Sequence, residues 1–365
     1  MDRLSSATMA GIQPSLEGSL LPLVELRSQA QRTLISLLDR RPGRKCLVLD
    51  PKISGPLALV ANIGVLKEHG VEKLFHLEKG LKVGETLQEI VYLVRPTIAN
   101  MRLISEQIIE AEEKGSSKRE TLPFSVYFTP RKTVLCERIL EDCGVLGSIQ
   151  IDEFPLWLIP FDEDVLSLEI DSVFNEVNVE KDFSSLYDVA SAIVQLQKVC
   201  GLIPRVRGKG KSSKIVANLM QRLALENDLL SSGGKPKSSV ASGSSQIDTV
   251  ILLDRSVDLL SPMCTQLTYE GLIDEILGIN NGLVEVPVEC KAQPLGAMAD
   301  KKPPQPQQQG RRGKKYPLNS SDVLFRELRD LNFGSVGPKV RKSVRLDSIV
   351  RSLTEHKFSP RCSRN

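Results

Sequence analysis

Four short apolar runs, Lys45–Asp50, Val71–Leu77, Ile90–Val94 and Phe124–Phe128, alternate with longer stretches of helical periodicity. Each run is too short for a helix and too evenly apolar to leave one face in water, so it reads as a strand covered on both sides. The stretches between them place their apolar residues on one helical face. Gly55–His69 is closed by Gly70. Thr97–Lys114 turns Met101, Ile104 and Ile108 inward, with Gly115 past its end, and Val134–Asp142 ends at Gly144. Ser148–Ile151 adds a fifth strand. Strands interleaved with helices specify a parallel sheet between two helical layers, an αβα domain over about 20–150. No Gly-x-Gly-x-x-Gly accompanies it, so the doubly wound fold comes without a dinucleotide fingerprint. Ahead of the sheet, Leu16, Leu20, Leu23, Leu26, Leu34, Leu37 and Leu38 form a helical stripe interrupted by Pro22.

The chain then changes character. Phe154–Phe161 is its richest apolar-aromatic patch and holds the sole Trp, Trp157. It is expected to be a strand or linker packed beneath a domain interface. Helices follow at Leu186–Cys200, with Leu186, Val189, Ala190, Ile193 and Leu196 inward, and at Ser212–Leu230. Residues 231–246, rich in Ser and Gly, read as a flexible loop.

Thr249–Leu253 is apolar enough to be another strand buried on both faces. It ends at Asp254-Arg255, charges that need partners before they enter a dry sheet. Ser261-Pro262 stops any helix there. Thr268 is an N-cap candidate for a short helix with Leu272, Ile273, Ile276 and Leu277 on one face. Lys291–Pro317, with its prolines and consecutive glutamines, is expected to be a disordered linker. Order resumes where Ser320 or Ser321 caps a helix with Leu324, Leu328 and Leu331 inside.

Charge narrows the partners. The net +3 conceals two basic segments, 291–317 and 339–365, on an otherwise acidic body. Duplex binding needs a basic face on a folded surface, so nucleic acid is not expected as a partner. Seven cysteines without a CxxC pair, and only three histidines, leave little for a zinc site, and buried reduced thiols are the simpler reading. Cys136 and Cys143 are expected on one helix face. No run approaches the length of a membrane span, so membrane association is expected to be peripheral. A weak basic amphipathic pattern occurs at Val340, Val344, Ile349, Val350 and Leu353.

Two constellations could carry chemistry. Gly210, Lys211 and Ser212 resemble the end of a phosphate loop, opening a helix whose amides could cradle an anion. The full pattern needs a glycine where Arg205 stands and a preceding strand, and the sequence offers a helix instead. Asp254 and Asp258 could form a carboxylate pair at a strand end, but no His is near and Arg255 offers both an ion-pair partner. A structural network at the joint is the simpler reading. Nucleophile elbows, zinc-protease helices and kinase strings are absent, so no enzyme, cofactor or metal is expected.

The string Leu253-Asp-Arg-x-x-Asp-Leu-Leu-Ser-Pro262, followed by Thr268-Tyr-Glu-Gly-Leu-Ile-Asp274, resembles the signature of the SM family (Sec1/Munc18-like proteins), in particular its vacuolar protein sorting members. Its positions Asp254, Arg255, Asp258, Ser261, Pro262, Thr268, Tyr269 and Glu270 are taken as a structural motif. Gly55-Pro-Leu-Ala-Leu, Leu66-Lys-Glu-His-Gly70, Val94-Arg-Pro96, Gly144-Val-Leu-Gly147 and Leu158-Ile-Pro-Phe-Asp162 carry the same likeness, over about 20–338. The resemblance implies a partial second α/β domain at 151–260 and the start of a helical third domain at 261–338. It implies SNARE proteins and subunits of vacuolar sorting tethering complexes as partners, at vacuole, lysosome and late endosome membranes. Residues 339–365 are not family-like, and a C-terminally truncated or alternatively spliced form is the expectation. A nucleotide-dependent switch and a generic scaffold are the rival readings.

Overall fold

A computed structural model describes residues 13–79, 88–115, 123–231, 245–286 and 314–342. By its contacts the chain falls into two compact units, Met1–Leu259 and Leu260–Asn365.

The first unit is built on a five-stranded sheet. Its strands are β1 (Lys45–Leu49), β2 (Val71–His76), β3 (Glu89–Val94), β4 (Phe124–Phe128) and β5 (Ile149–Glu153). They lie in the order β2-β1-β3-β4-β5, and every pairing is parallel. Four helices belong to this sheet: α1 (Leu23–Leu38), α2 (Pro51–Val60), α3 (Ile63–Glu68) and α4 (Ile98–Gly115), with α5 (Val134–Asp142) completing the layer over β4 and β5. On one face Cys46, Val48, Tyr92, Val126 and Phe128 pack against Met101, Ile104 and Ile108 of α4 and Cys136 and Leu140 of α5. Tyr127 points the other way, and its hydroxyl donates to the Leu37 carbonyl of α1 at 2.9 Å. Both faces are therefore dry, which is why β1, β3 and β4 are apolar throughout rather than alternating.

Asp50 ties the carboxyl edge of the sheet together. Its carboxylate accepts from the Lys52 amide (3.0 Å) at the start of α2, from Arg95 Nε (2.8 Å) and from Asn100 Nδ2 (2.9 Å). Burial would raise its pKa, but these donors outweigh that and hold it below the ordinary value.

The rest of the unit packs onto α1. A hairpin, β6 (Ile159–Asp162) with β7 (Val165–Ser167), is followed by α6 (Ser184–Cys200). Leu158 and Trp157 sit with Leu16, Leu23 and Leu26 on one side and Ala192 and Leu196 of α6 on the other. The Phe154–Phe161 patch is thus interior packing. Next come β8 (Arg205–Lys209), α7 (Lys211–Ser231) and β9 (Thr249–Leu253), with β8 and β9 paired in parallel. Leu252 joins Val216 and Met220 of α7 and Leu186, Ala190 and Val194 of α6 in one cluster.

The second unit contains α8 (Tyr269–Leu277), an antiparallel sheet of β10 (Ile279–Asn280), β11 (Leu283–Val286) and β12 (Lys314–Pro317), and α9 (Val323–Leu328). Residues 333–342 are helical. This unit is mixed rather than purely helical.

Several expectations need correction. Gly55–His69 is two helices, because Ala61 is extended and Asn62 recaps the chain by accepting from the Val65 amide at 2.9 Å. The strand β9 is not buried on both faces: Ile251 is 65% and Leu253 70% exposed, since a two-stranded sheet with helices on one side leaves the other side open. Ile276 is exposed rather than inward. The helix near 320 is capped by Asp322, not by Ser320 or Ser321, and buries Phe325 and Leu328 while Leu324 is exposed. Residues 314–317 of the expected linker form β12, and residues 291–313 lie outside the described residues. The loop at 232–244 and the tail at 343–365, with its amphipathic pattern beyond Val340, also lie outside them. Cys136 is buried within α5, but Cys143 is its exposed C-cap residue, so only the first is a core thiol; Cys264 is exposed as well.

Candidate functional site: the joint at Asp254

Asp254 of the carboxylate constellation lies on the Gly210–Ser212 turn of the other. Parallel pairing sets Lys209 opposite Leu253, so Gly210 and Asp254 leave the two strands side by side. The Asp254 amide donates to the Lys209 carbonyl at 3.0 Å and extends the ladder by one step. The Asp254 carboxylate then accepts from the Ser212 amide at 3.0 Å, at the first turn of α7. Its other oxygen accepts from the Ser256 amide (3.0 Å) and hydroxyl (2.9 Å), which opens a 3-10 turn at Arg255–Val257. Ser213 Oγ closes the turn by donating to the Lys209 carbonyl at 3.0 Å.

Gly210 makes this approach possible. Its φ of +106° lies where side chains are strained, and a Cβ there would collide with the Asp254 side chain. A strand does lead into this turn, β8, too short and polar to be read from apolar runs, but it spans Arg205–Lys209 and so runs through the positions that the phosphate-loop pattern gives to its loop. What closes the site is charge. Partial burial would raise the Asp254 pKa, but the backbone amides of Ser212 and Ser256 and the two serine hydroxyls outweigh it and bring the carboxyl down to about 2. A carboxylate held on a helix N-terminus complements the helix dipole. Lys211 is exposed beside it.

Arg255 Nη1 donates to the Asp258 carbonyl at 3.5 Å, so in the described contacts Arg255 braces the turn rather than the Asp254 carboxylate. The boundary between the two units falls just after, at Leu259. In the second unit Ser261-Pro262 starts a 3-10 turn, Ser261–Met263, with proline in its first positions. Thr268 caps α8 by accepting from the Gly271 amide at 3.2 Å. The Tyr269 and Glu270 amides donate to the carbonyls of Leu331 and Arg329 at 2.9 and 3.1 Å. Glu270 Oε2 accepts from Arg329 Nε at 2.9 Å, and the Tyr269 ring lies 6.4 Å from that of Phe325. Every motif residue from Thr268 to Glu270 therefore fastens α8 to the segment carrying α9. Among the described residues no group of His, Cys, Asp and Glu could hold a metal, and no helix is long and apolar enough to cross a membrane.

This joint, on a parallel-sheet αβα body, sits inside a match to the Sec1 family profile over residues 45–347, and the chain belongs to the Sec1 family. Its relatives narrow the branch. It is 42% identical over 329 residues to the vacuolar protein-sorting-associated protein 33 homolog of Arabidopsis thaliana, covering 90% of this chain and 51% of that protein. It is 39% identical over 334 residues to vacuolar protein sorting-associated protein 33A of Rattus norvegicus, covering 89% and 52%. The chain thus spans about half the length of the curated relatives it matches. The fold is shared with the SM protein Vps45 in complex with the Qa SNARE Tlg2 (TM-score 0.58, 16% identity, 93% of this chain and 55% of that one). It is also shared with the Unc18–syntaxin 1 complex from Monosiga brevicollis (TM-score 0.57, 18% identity, 93% and 56%).

Proposed function

We propose that this chain is a SNARE-binding regulator of vesicle docking and membrane fusion in vacuolar, lysosomal and endosomal protein transport, acting without covalent chemistry. The family match and the vacuolar sorting names of the relatives support the pathway, and the SNARE complexes among the fold neighbours support the partner class. The observation that carries the non-enzymatic part is the Asp254 carboxylate on the Ser212 amide, which fills the one anion cradle that the sequence suggested. In this reading the αβα part (20–150), the partial α/β part (151–260) and the segment 261–338 are domains joined at Asp254–Ser261, and the protein works peripherally at the membrane as a subunit of a multi-subunit tether. Helix recognition of this kind uses shape and apolar grooves rather than reactive side chains.

The test is capture of an assembled endosomal SNARE bundle by the 1–365 chain, run beside a full-length relative. Retention of the bundle by both supports the reading. Retention by the relative alone removes it for this chain, and saturable ATP binding that is lost in Lys211→Ala would replace it with the nucleotide switch.

A further inference from the structure

The carboxyl edge of the five-stranded sheet opens into a cavity of ≈ 210 Å³ at the ends of β1, β3 and β4. None of its lining residues belongs to the Asp254 joint. In a sheet of order 2-1-3-4-5, the point beside β1 where the chain reverses direction is the place where ligands lodge. Ile53, Pro96, Pro130, Leu156 and Trp157 contribute apolar surface to its lining. The same lining carries four carboxylates, Glu169, Asp171, Glu176 and Asp188.

These four carboxylates are not all neutralised. Lys52 pairs with Asp171, and Asp188 accepts from Arg131 Nε at 2.9 Å. Arg95, the other cation in the lining, is held by Asp50 at 2.8 Å. Glu169 and Glu176 have only serine hydroxyls: Ser167 Oγ donates to Glu169 at 2.7 Å, Ser172 Oγ to Glu176 at 2.6 Å, and Ser185 Oγ to the second oxygen of Glu176. Among the described residues neither glutamate is in an ion pair. Each carboxylate oxygen can accept more than one donor, so the serines orient these groups without exhausting them. Glu169 also stands in the left-handed region at φ 54°, and Glu176 opens a π-helical turn, Glu176–Glu180; local backbone of both kinds collects at ligand sites.

We propose that this cavity receives an arginine side chain of a partner peptide, with its aliphatic stem against Trp157 and its guanidinium on Glu176 and Glu169. A lining that combines apolar surface with carboxylates outside any ion pair matches a side chain with an apolar stem and a cationic tip. A free polyamine, charged along its whole length, would have to desolvate ammonium groups against Ile53 and Leu156. Guanidinium suits the site better than ammonium, because it forks onto carboxylates and stacks on an aromatic ring.

Because Trp157 is the sole Trp, its emission reads the cavity directly. The experiment titrates the full 1–365 chain with a blocked Ala-Leu-Arg-Leu-Ala peptide, its Arg-to-Gln counterpart and spermidine. Affinities for the variants are read by calorimetry. The Arg peptide should change Trp157 emission saturably, and the Gln peptide should bind about ten-fold more weakly, the effect of losing charge-assisted bonds. Glu176→Gln and Glu169→Gln should each weaken the Arg peptide by several-fold with melting unchanged; Glu169 is exposed, so that variant keeps the test valid even if Glu176→Gln perturbs folding. Equal binding of the Gln peptide, saturation by spermidine with no response to the Arg peptide, or an unchanged affinity in Glu169→Gln would overturn the proposal.

Discussion

The Asp254 carboxylate accepts the Ser212 backbone N–H at 3.0 Å, across 42 residues of sequence. This single contact turns a strand–glycine–helix turn with the look of a phosphate cradle into a structural strut. Replacing Asp254 by Ala should destabilise the first unit by about 1–2 kcal/mol at neutral pH, the usual cost of losing a helix cap. The sign of the pH dependence follows from the folded pKa of about 2, below the ordinary 3.8. The contribution is complete above the unfolded value and fades as pH falls towards 2. Urea melts of the two proteins should therefore differ at pH 7 and draw together as the pH falls towards 2.

Gly210→Ala should cost about 2 kcal/mol or more, because the positive φ and the approach of Asp254 leave no room for a methyl group. Lys211→Ala, one position away and exposed, should stay within about 0.5 kcal/mol. Equilibrium unfolding distinguishes a structural turn from a lysine-dependent one, since only the second makes Lys211 matter.

Asp50 is buried and carries donors from three segments. Asp50→Ala strands Arg95 and uncaps α2, and should destabilise by about 3 kcal/mol. The loss should appear as a lower denaturant midpoint.

The thiols should divide by exposure. Cys46, Cys136 and Cys200 are buried, and burial raises the pKa of each, Cys46 to about 12. Cys143 and Cys264 are exposed and should react with a thiol reagent in the native state, while those three wait for unfolding. Mass mapping of the labelled sites checks this.

Much of the first unit was legible because its strands are dry on both faces and therefore carry an unbroken apolar signal, as β1, β3 and β4 do. That same signal misled at Thr249–Leu253, where Ile251 and Leu253 are apolar yet exposed on an open two-stranded sheet. Composition cannot report which neighbours a strand has. The strand β8 was missed for the opposite reason: its Arg, Gly and Lys residues give no apolar run. At the joint, the residue types were visible but their union was not, because the register that sets Gly210 beside Asp254 is a long-range property. Helix ends failed locally, where Asp322 rather than a neighbouring serine took the cap.

The proposal that this chain binds SNARE helices without nucleotide chemistry is tested most directly by calorimetric titration of the 1–365 protein with a Qa-SNARE helical region and, separately, with magnesium ATP. The account requires saturable heat with the SNARE and none with the nucleotide. Heat from the nucleotide that disappears in Lys211→Ala, with none from the SNARE, would contradict it.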